Sequence, residues 1–500
     1  MSLLKKLAGE TAIYGMSSIL PRLLNFVLLT PFLTRVLSKA DYGIFNDLYS
    51  YVALFNILLT FRMETAYFRY AQKKEDVERT FSASTLFLLL STLVFTGIAL
   101  FLAQPIADLQ QYPKHPEFII ALILILGLDT LTAIPFARLR FENRPLRFMG
   151  IKLTNVVVNI LLVFFYLYFC PKLEQKAAWQ WLQYLHFEDN MVGDVFLANV
   201  VGSAVNLLQV LPTYLRMKLQ IDWALLRQML RYSFPLVLAG IAGVINQFLG
   251  TPLLKFLGVG DLNTNLEEVG VYSAAVKIPV MMNLFTQAFN YASEPFFFRN
   301  ANEKGSEKVY GQVAQAFTLV SCIAFLGIML NIDWVGLFLG ENFREGLDTV
   351  PVLLLANLFL GLFTTFSIWY KLIDRTAVGG WVALGGSLIT IVLNVVLIKQ
   401  GYGYYAPAWT ALICYVFMTI VSYMAGQKYH PIHYPLGRMA LYFLLALFAY
   451  GLSEGLRHLA QGALPVILSI NFLILLAYFA AIAWIEKPLV ERLLKRKRQE

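Results

Sequence analysis

Charged residues are scarce in this 500-residue chain, at 14% of the sequence against about 25% in soluble domains. The chain lacks the residues needed to cover a water-facing surface of its size, so soluble, disordered and collagen-like classes are excluded. Apolar residues make up 58% and aromatic residues 15% of the sequence. The net charge of +9 does not indicate a nucleic-acid partner, because the basic residues lie in small groups between long apolar runs. This pattern is typical of a membrane protein with basic cytoplasmic loops.

Signatures of catalysis and of metal binding are also missing. The three cysteines lie in or beside apolar runs without the spacing of a metal site or a disulfide framework. The pair His430 and His433 flanks a proline, has no nearby cysteine or carboxylate, and does not indicate a metal site. There is no phosphate-binding loop of the Gly-x4-Gly-Lys-Ser/Thr type, so ATP hydrolysis by this chain is not expected. We therefore expect no enzyme, no metal and no cofactor.

Long apolar runs account for most of the chain. A helix needs about 20 residues to cross a bilayer, and fourteen runs of that length are present. They lie near residues 12–34, 44–67, 81–103, 118–137, 148–170, 193–215, 232–257, 270–298, 311–331, 350–370, 378–398, 404–425, 439–456 and 464–485. The sequence therefore predicts an all-α polytopic membrane protein with about fourteen transmembrane helices.

The distribution of lysine and arginine predicts the orientation. With an even number of spans, both termini lie on the same side of the membrane. If that side is the cytoplasm, cytoplasmic segments carry 27 of the 40 Lys and Arg residues, extracytoplasmic loops carry 8, and spans carry 5. Such an excess on one side is the usual signal for a cytoplasmic location of loops. Both termini are therefore predicted to be cytoplasmic.

An internal repeat relates the two halves of the chain. The tripeptide Leu3-Leu4-Lys5 matches Leu225-Leu226-Arg227, and Asp41-Tyr42-Gly43-Ile44-Phe45 matches Glu268-Val269-Gly270-Val271-Tyr272. The repeat predicts a six-helix lobe over 1–218, a second over 219–428, and two extra helices with a basic tail over 429–500. Because each lobe has an even number of spans, the two have the same orientation and are expected to enclose a central cavity. A pair of lobes of this kind suits alternating access.

Ionisable residues inside spans are costly and are candidates for function. Arg22 and Asp129 lie near the middle of spans 1 and 4, where they either line a cavity or form a structural pair. The other candidates lie nearer the ends of spans 2 and 8. They are Arg62, Glu64, Lys277 and Glu294. In contrast, we interpret Asp47, Lys152 and Lys255 as close enough to an interface for their side chains to reach water.

Four motifs resemble a known family. They are Gly15-x-Ser17, Arg35-Val36-Leu37-x4-Tyr42-Gly43, Val269-Gly270-Val271-Tyr272-x4-Lys277, and Asn394-x2-Leu397-Ile398-x2-Gly401-x4-Ala406-x-Ala408-x-Thr410. In this order and on these spans, they resemble the polysaccharide-export branch of the multidrug/oligosaccharidyl-lipid/polysaccharide (MOP) transporter superfamily. The sequence departs from that family in Gly403-Tyr404-Tyr405-Ala406-Pro407 and in a long connection over 171–192.

The resemblance implies a flippase of the bacterial inner membrane that moves undecaprenyl-diphosphate-linked oligosaccharides, such as O-antigen or capsule units. Its cationic cavity would contain Arg22, Arg62 and Lys277, because arginine and lysine bind phosphate oxygens. Asp129, Glu64 and Glu294 would couple an ion or pair with these charges. The energy source would be an ion gradient or the membrane potential. Membrane lipids, a polysaccharide polymerase and glycosyltransferases are the implied partners.

Three alternatives stay open from the sequence. A lipid II flippase is a close variant, and a multidrug or metabolite antiporter of the same superfamily is a second. A membrane-embedded polysaccharide polymerase or ligase belongs to a different class and usually carries a large catalytic loop or a soluble domain. No segment of that size separates the predicted spans.

Overall fold

A computed structural model describes residues 19–72, 76–173, 181, 186–187, 190–215, 217, 220–299, 306–373, 375–459 and 464–497. Within these ranges the chain is α-helical, with short 3-10 and π segments and without a strand. Thirteen of the described helices are long and apolar enough to cross a bilayer, and one bent pair of helices brings the count to fourteen. The predicted all-α architecture of about fourteen spans is confirmed.

We number the spans α1 to α14 in chain order. The first seven are α1 (Ile19–Val36), α2 (Lys39–Tyr70), α3 (Val77–Phe101), α4 (Pro116–Phe141), α5 (Pro145–Leu173), α6 (Met191–Leu215) and α7 (Trp223–Phe248). The bent pair forms α8, with the segments Leu262–Lys277 and Val280–Arg299. The others are α9 (Ser306–Met329), α10 (Val350–Phe366), α11 (Thr376–Lys399), α12 (Tyr405–Tyr429), α13 (Leu436–Leu459) and α14 (Leu464–Lys497). Shorter helices include Gly250–Leu257 after α7 and the 3-10 segment Glu341–Thr349 before α10.

The start of α2 shows why helix ends differ from the predicted apolar run. That run begins near residue 44, but the helix begins at Lys39. Ser38 has extended backbone angles, and its hydroxyl accepts the backbone N–H of Asp41 at 3.1 Å. A serine in this position satisfies one of the free N–H groups of the first turn. The cap therefore extends the helix into polar residues that hydropathy does not include.

Contacts divide the chain into two compact units. The first consists of Met1–Lys277, Gly340–Gly346 and Ala377–Cys414, and the second of Ile278–Leu339, Leu347–Thr376 and Tyr415–Glu500. This division follows packing, whereas the predicted lobes follow the internal repeat. The lobe boundaries at 218 and 428 therefore stay a prediction.

The first unit has a core of aromatic and aliphatic side chains between α2, α4 and α6. Leu48, Phe118 and Phe196 are buried there, and the Tyr49 ring stacks on Phe196 with 5.8 Å between centroids. Large apolar side chains are instead exposed on α3, including Val94 at 61%. An apolar helix face of this kind is stable when lipid chains cover it.

Two glycines bring α2 and the first segment of α8 into close contact. A Cβ atom placed on Gly43 would lie 2.0 Å from the Leu266 carbonyl oxygen, and one placed on Gly270 would lie 2.0 Å from that of Lys39. Gly43 and Gly270 are equivalent positions in the predicted repeat, and each faces the residue four positions before the other glycine. A two-fold axis produces this reciprocal arrangement. The contact therefore supports the parallel repeat predicted from the sequence.

Candidate substrate-binding site

A cluster of charged side chains lies between α1, α2, α4 and α5 of the first unit. Its centre is Lys152 on α5, which interacts electrostatically with Asp129, Glu64, Arg140 and Arg22. The Ser203 hydroxyl on α6 is a further polar neighbour of Asp129. The cluster brings together three of the residues predicted from the sequence, Arg22, Glu64 and Asp129.

Two opposite-charge interactions hold this cluster together. The Glu64 carboxylate accepts a hydrogen bond from Arg140 on α4 at 2.5 Å. Asp129 interacts with Lys152, whose Nζ lies 4.2 Å from the centre of the Phe136 ring. The aromatic face adds attraction for the ammonium group. Lys152 is half-buried beside a carboxylate and a ring, and its interpretation as a residue that reaches the interface stays a prediction.

Arg62 lies at a break in α2. The helix stops at Thr60 and resumes at Met63, and Phe61 and Arg62 have left-handed backbone angles, with φ of 48° and 53°. Two consecutive residues other than glycine in this region are uncommon and mark functional or strained positions. The break places the Arg62 side chain on the exposed surface of the unit, off the axis of the helix.

The Arg62 guanidinium lies against Gly240 of α7. A Cβ atom at Gly240 would be 2.8 Å from Arg62 Nη2 and 3.0 Å from Nε, so the glycine leaves room for the guanidinium. Among the described residues, no carboxylate oxygen lies within the 4.0 Å of an ion pair with Arg62. Arg62 follows the negative end of the helix Lys39–Thr60 but is also the N-cap of the helix Met63–Tyr70, whose end is positive, so the two dipoles largely oppose each other at this position.

Lys277 occupies a similar position at the bend of α8. It is the last residue of the segment Leu262–Lys277, and the span bends by 44° before the next segment. Its Nζ donates to the Asn46 side-chain oxygen of α2 at 3.4 Å. Within the described part of the chain, no carboxylate comes within ion-pair distance of Lys277. Like Arg62, it is a cation at the junction between one helical segment and the next.

The remaining predicted residues have less specific surroundings. Arg22 is exposed on α1, three residues before the π-helical turn Asn25–Leu29. Glu294 lies in the helical segment Val280–Arg299, but its side chain is outside the described part of the structure.

Asp47 and Lys255 were interpreted as reaching an interface, and this is wrong. Both side chains are completely buried and form an ion pair at 2.8 Å. They are 208 positions apart in the sequence, so hydropathy could not show that they meet.

The fold is similar to those of several solved membrane proteins. The structure is similar to one titled "Lipid II flippase MurJ, inward closed conformation", with a TM-score of 0.73 and 13% identity over 96% of this chain and 100% of that chain. It is also similar to an inward-facing multidrug resistance MATE family transporter of the MOP superfamily, with a TM-score of 0.61 and 14% identity over 86% and 95% of the two chains. A MOP superfamily transporter from Pyrococcus furiosus gives a TM-score of 0.54 at 14% identity over 84% and 93%. The chain thus has the fold of MOP-superfamily flippases and transporters.

The sequence gives a narrower assignment. A family profile described as "Polysaccharide biosynthesis protein" matches residues 7–301, which is more than half of the chain. The protein therefore belongs to this polysaccharide biosynthesis family. Among curated proteins, none is significantly similar to it in sequence.

Proposed function

We propose that this protein is a flippase that moves an undecaprenyl-diphosphate-linked oligosaccharide across the bacterial inner membrane by alternating access. The polysaccharide biosynthesis family and the MOP fold support transport of a lipid-linked sugar. The substrate headgroup would carry at least two negative charges, which must leave water on the way across. The proposed site binds those charges with Arg22, Arg62 and Lys277.

Arg62 is the residue on which the proposal mainly rests. A cation in a membrane span without a carboxylate partner must face a cavity, a dipole or an anionic ligand. The two helix dipoles at the break oppose each other, and the guanidinium remains exposed. Arginine also presents a planar fork that matches two phosphate oxygens. Lys277 on α8 is a second cation at a bend in a span, and among the described residues it also has no carboxylate at ion-pair distance.

The charge of the site separates this function from drug antiport. Asp129 and Glu64 both interact with cations of the protein, so neither is an isolated acidic site for a cationic drug. The unpaired charge is positive and favours an anionic headgroup. Lipid II is a second candidate substrate, because its headgroup is also a diphosphate and the MurJ fold covers 96% of this chain.

Location, orientation and energy source follow from the same proposal. Both termini would lie in the cytoplasm, on the side where the substrate is made. The membrane potential or an ion gradient would supply energy, and Glu294 is a further candidate for ion coupling. Glycosyltransferases would supply the substrate, and a polymerase would consume it on the other side.

The test is translocation in reconstituted vesicles, comparing undecaprenyl-diphosphate-oligosaccharide, lipid II and a cationic drug. Arg62→Ala is expected to slow translocation about tenfold or more, because a hydrogen bond to a charged group contributes about 1.5–3 kcal/mol. Arg62→Lys should retain part of the rate, since the charge remains. Arg147→Ala is the matched control, because Arg147 is an exposed arginine in the first turn of α5.

Three outcomes would contradict the proposal. Wild-type rates for Arg62→Ala and Lys277→Ala would remove both residues from the site. Faster transport of lipid II than of the oligosaccharide would favour the second substrate. Transport of the cationic drug alone would replace the flippase with an antiporter.

A further inference from the structure

Asp47 on α2 and Lys255 on the helix Gly250–Leu257 form a completely buried ion pair. Lys255 Nζ lies 2.8 Å from Asp47 Oδ2 and donates to the Gln110 carbonyl oxygen at 2.6 Å. The Tyr112 hydroxyl donates to the same Asp47 oxygen at 3.0 Å, and its ring centre lies 4.1 Å from Lys255 Nζ. Asp47 Oδ1 has no hydrogen bond with the described protein, so Lys255 and Tyr112 alone hold the carboxylate.

This pair lies beside the glycine contact between α2 and α8. Asp47 is one helical turn after Gly43, whose backbone meets that of Leu266. Asn265, next to Leu266, donates to the Lys255 carbonyl oxygen at 3.1 Å. The ion pair and the glycine contact therefore fasten the same end of the unit. The lysine and arginine distribution predicts that this end is extracytoplasmic.

The two halves of the predicted repeat meet at this end. Asp47 belongs to the first copy, and Lys255 and Gly270 belong to the second. A transporter that opens at this end must separate these contacts. A buried ion pair suits such a step. It contributes little net stability compared with an apolar pair, but removing one of its two charged partners is costly, because the other charge stays buried and unpaired. It therefore favours two discrete states, paired or separated.

We propose that the Asp47–Lys255 pair is a latch that keeps the extracytoplasmic end closed and separates each time that end opens. The latch rests on the proposed transport function, but it does not depend on the identity of the substrate. Tyr112 and Gln110 are positioning residues that hold the two charged groups in the closed state.

Thiol labelling tests the latch in sealed cells. The reporter is Ser50→Cys in a variant without Cys170, Cys322 and Cys414, because Ser50 is buried on α2 one turn beyond Asp47. An impermeant maleimide is added outside. Asp47→Asn and Lys255→Met should each raise the labelling rate about tenfold or more, because each leaves one buried group unpaired in the closed state. The apolar double variant Asp47→Leu/Lys255→Met should label at or below the parent rate and translocate more slowly.

A matched control lies at the same end of α2. Lys39 and Glu345 form an ion pair at 2.8 Å, but their side chains are 26% and 49% exposed. An exposed pair contributes little, so Lys39→Ala should label at the parent rate. Size-exclusion elution identifies variants that do not fold. Lys255→Gln is the milder substitute in that case, because the amide still donates a hydrogen bond.

The latch would be overturned if Lys255→Gln or either single variant, once folded, labelled at the parent rate. Equal labelling of the double variant and the single variants would also overturn it. Failure of oligosaccharide translocation with unchanged labelling results would refute the proposed substrate and leave the latch in place.

Discussion

The interaction between Asp129 and Lys152 makes a quantitative prediction about the charged cluster. Removing the ammonium group in Lys152→Met leaves the Asp129 carboxylate with Ser203 as its remaining partner. Breaking a fully buried pair from one side costs about 3–5 kcal/mol. Because both side chains here are only half-buried, we expect a loss of about 2 kcal/mol in the free energy of unfolding. Asp129→Asn should recover most of this loss when combined with Lys152→Met.

A double-mutant cycle measures the coupling between the two residues. The free energy of unfolding is obtained in mixed detergent micelles for the wild type, the single variants and the double variant. We expect a coupling energy of at least about 1 kcal/mol for Asp129 with Lys152. A second cycle, for Asp129 with Arg22, should give a smaller coupling energy, because the neighbours of Asp129 are Lys152 and Ser203. Lys114→Met, at an exposed loop lysine, is the control.

The opposite ranking would refute this assignment. If Arg22 coupled to Asp129 more strongly than Lys152 does, Arg22 would be the structural partner of Asp129. Its place in the proposed phosphate site would then lose support. Full transport by an Arg22→Ala/Asp129→Ala double variant would lead to the same conclusion.

Three further predictions concern local features of the structure. Gly240→Leu should displace Arg62 and reduce transport at normal protein levels, because even a Cβ atom there would lie 2.8 Å from Nη2. The backbone N–H of Leu225 is the main cause that lowers the pKa of Asp222. The ionised carboxylate therefore stabilises the folded protein at pH values above its unfolded pKa, and this stabilisation is lost as the pH falls through the folded pKa. Asp222→Asn should make the thermal unfolding temperature less dependent on pH in this range. A cysteine at Asn342 should react with an impermeant reagent from outside, whereas labelling of one at Gln427 in sealed cells would reverse the predicted orientation.

Much of the fold could be predicted because bilayers impose strong constraints on sequence. Span length follows from membrane thickness, which is why the apolar runs correspond to the helices. The repeat was visible in two short matches, and Gly43 and Gly270 in one of them form the reciprocal contact. In contrast, the break in α2 could not be predicted. Phe61 and Arg62 are neither glycine nor proline, so local sequence gives no sign of left-handed angles.

The site was only partly predictable for a different reason. Hydropathy places a charge at a depth in the membrane, but it does not identify the partner. Depth in the membrane identified Arg22, Glu64 and Asp129 as candidates, but it did not identify Arg140 as the partner of Glu64. It failed for Asp47 and Lys255, whose positions near span ends suggested contact with water. Tertiary packing buries them instead, because each residue supplies the charge that the other needs.

The balance of charges in the spans is consistent with an anionic substrate. Three carboxylates within α2 and α4 interact with a cation of the protein: Asp47 with Lys255, Glu64 with Arg140 and Asp129 with Lys152. Arg62 has no such partner among the described residues and adds a positive charge at a helix break. A cationic substrate would meet repulsion there, whereas a diphosphate would neutralise the guanidinium and lower its cost in the membrane. In the proposed site, binding of the headgroup would therefore offset the cost of placing the Arg62 guanidinium in the membrane.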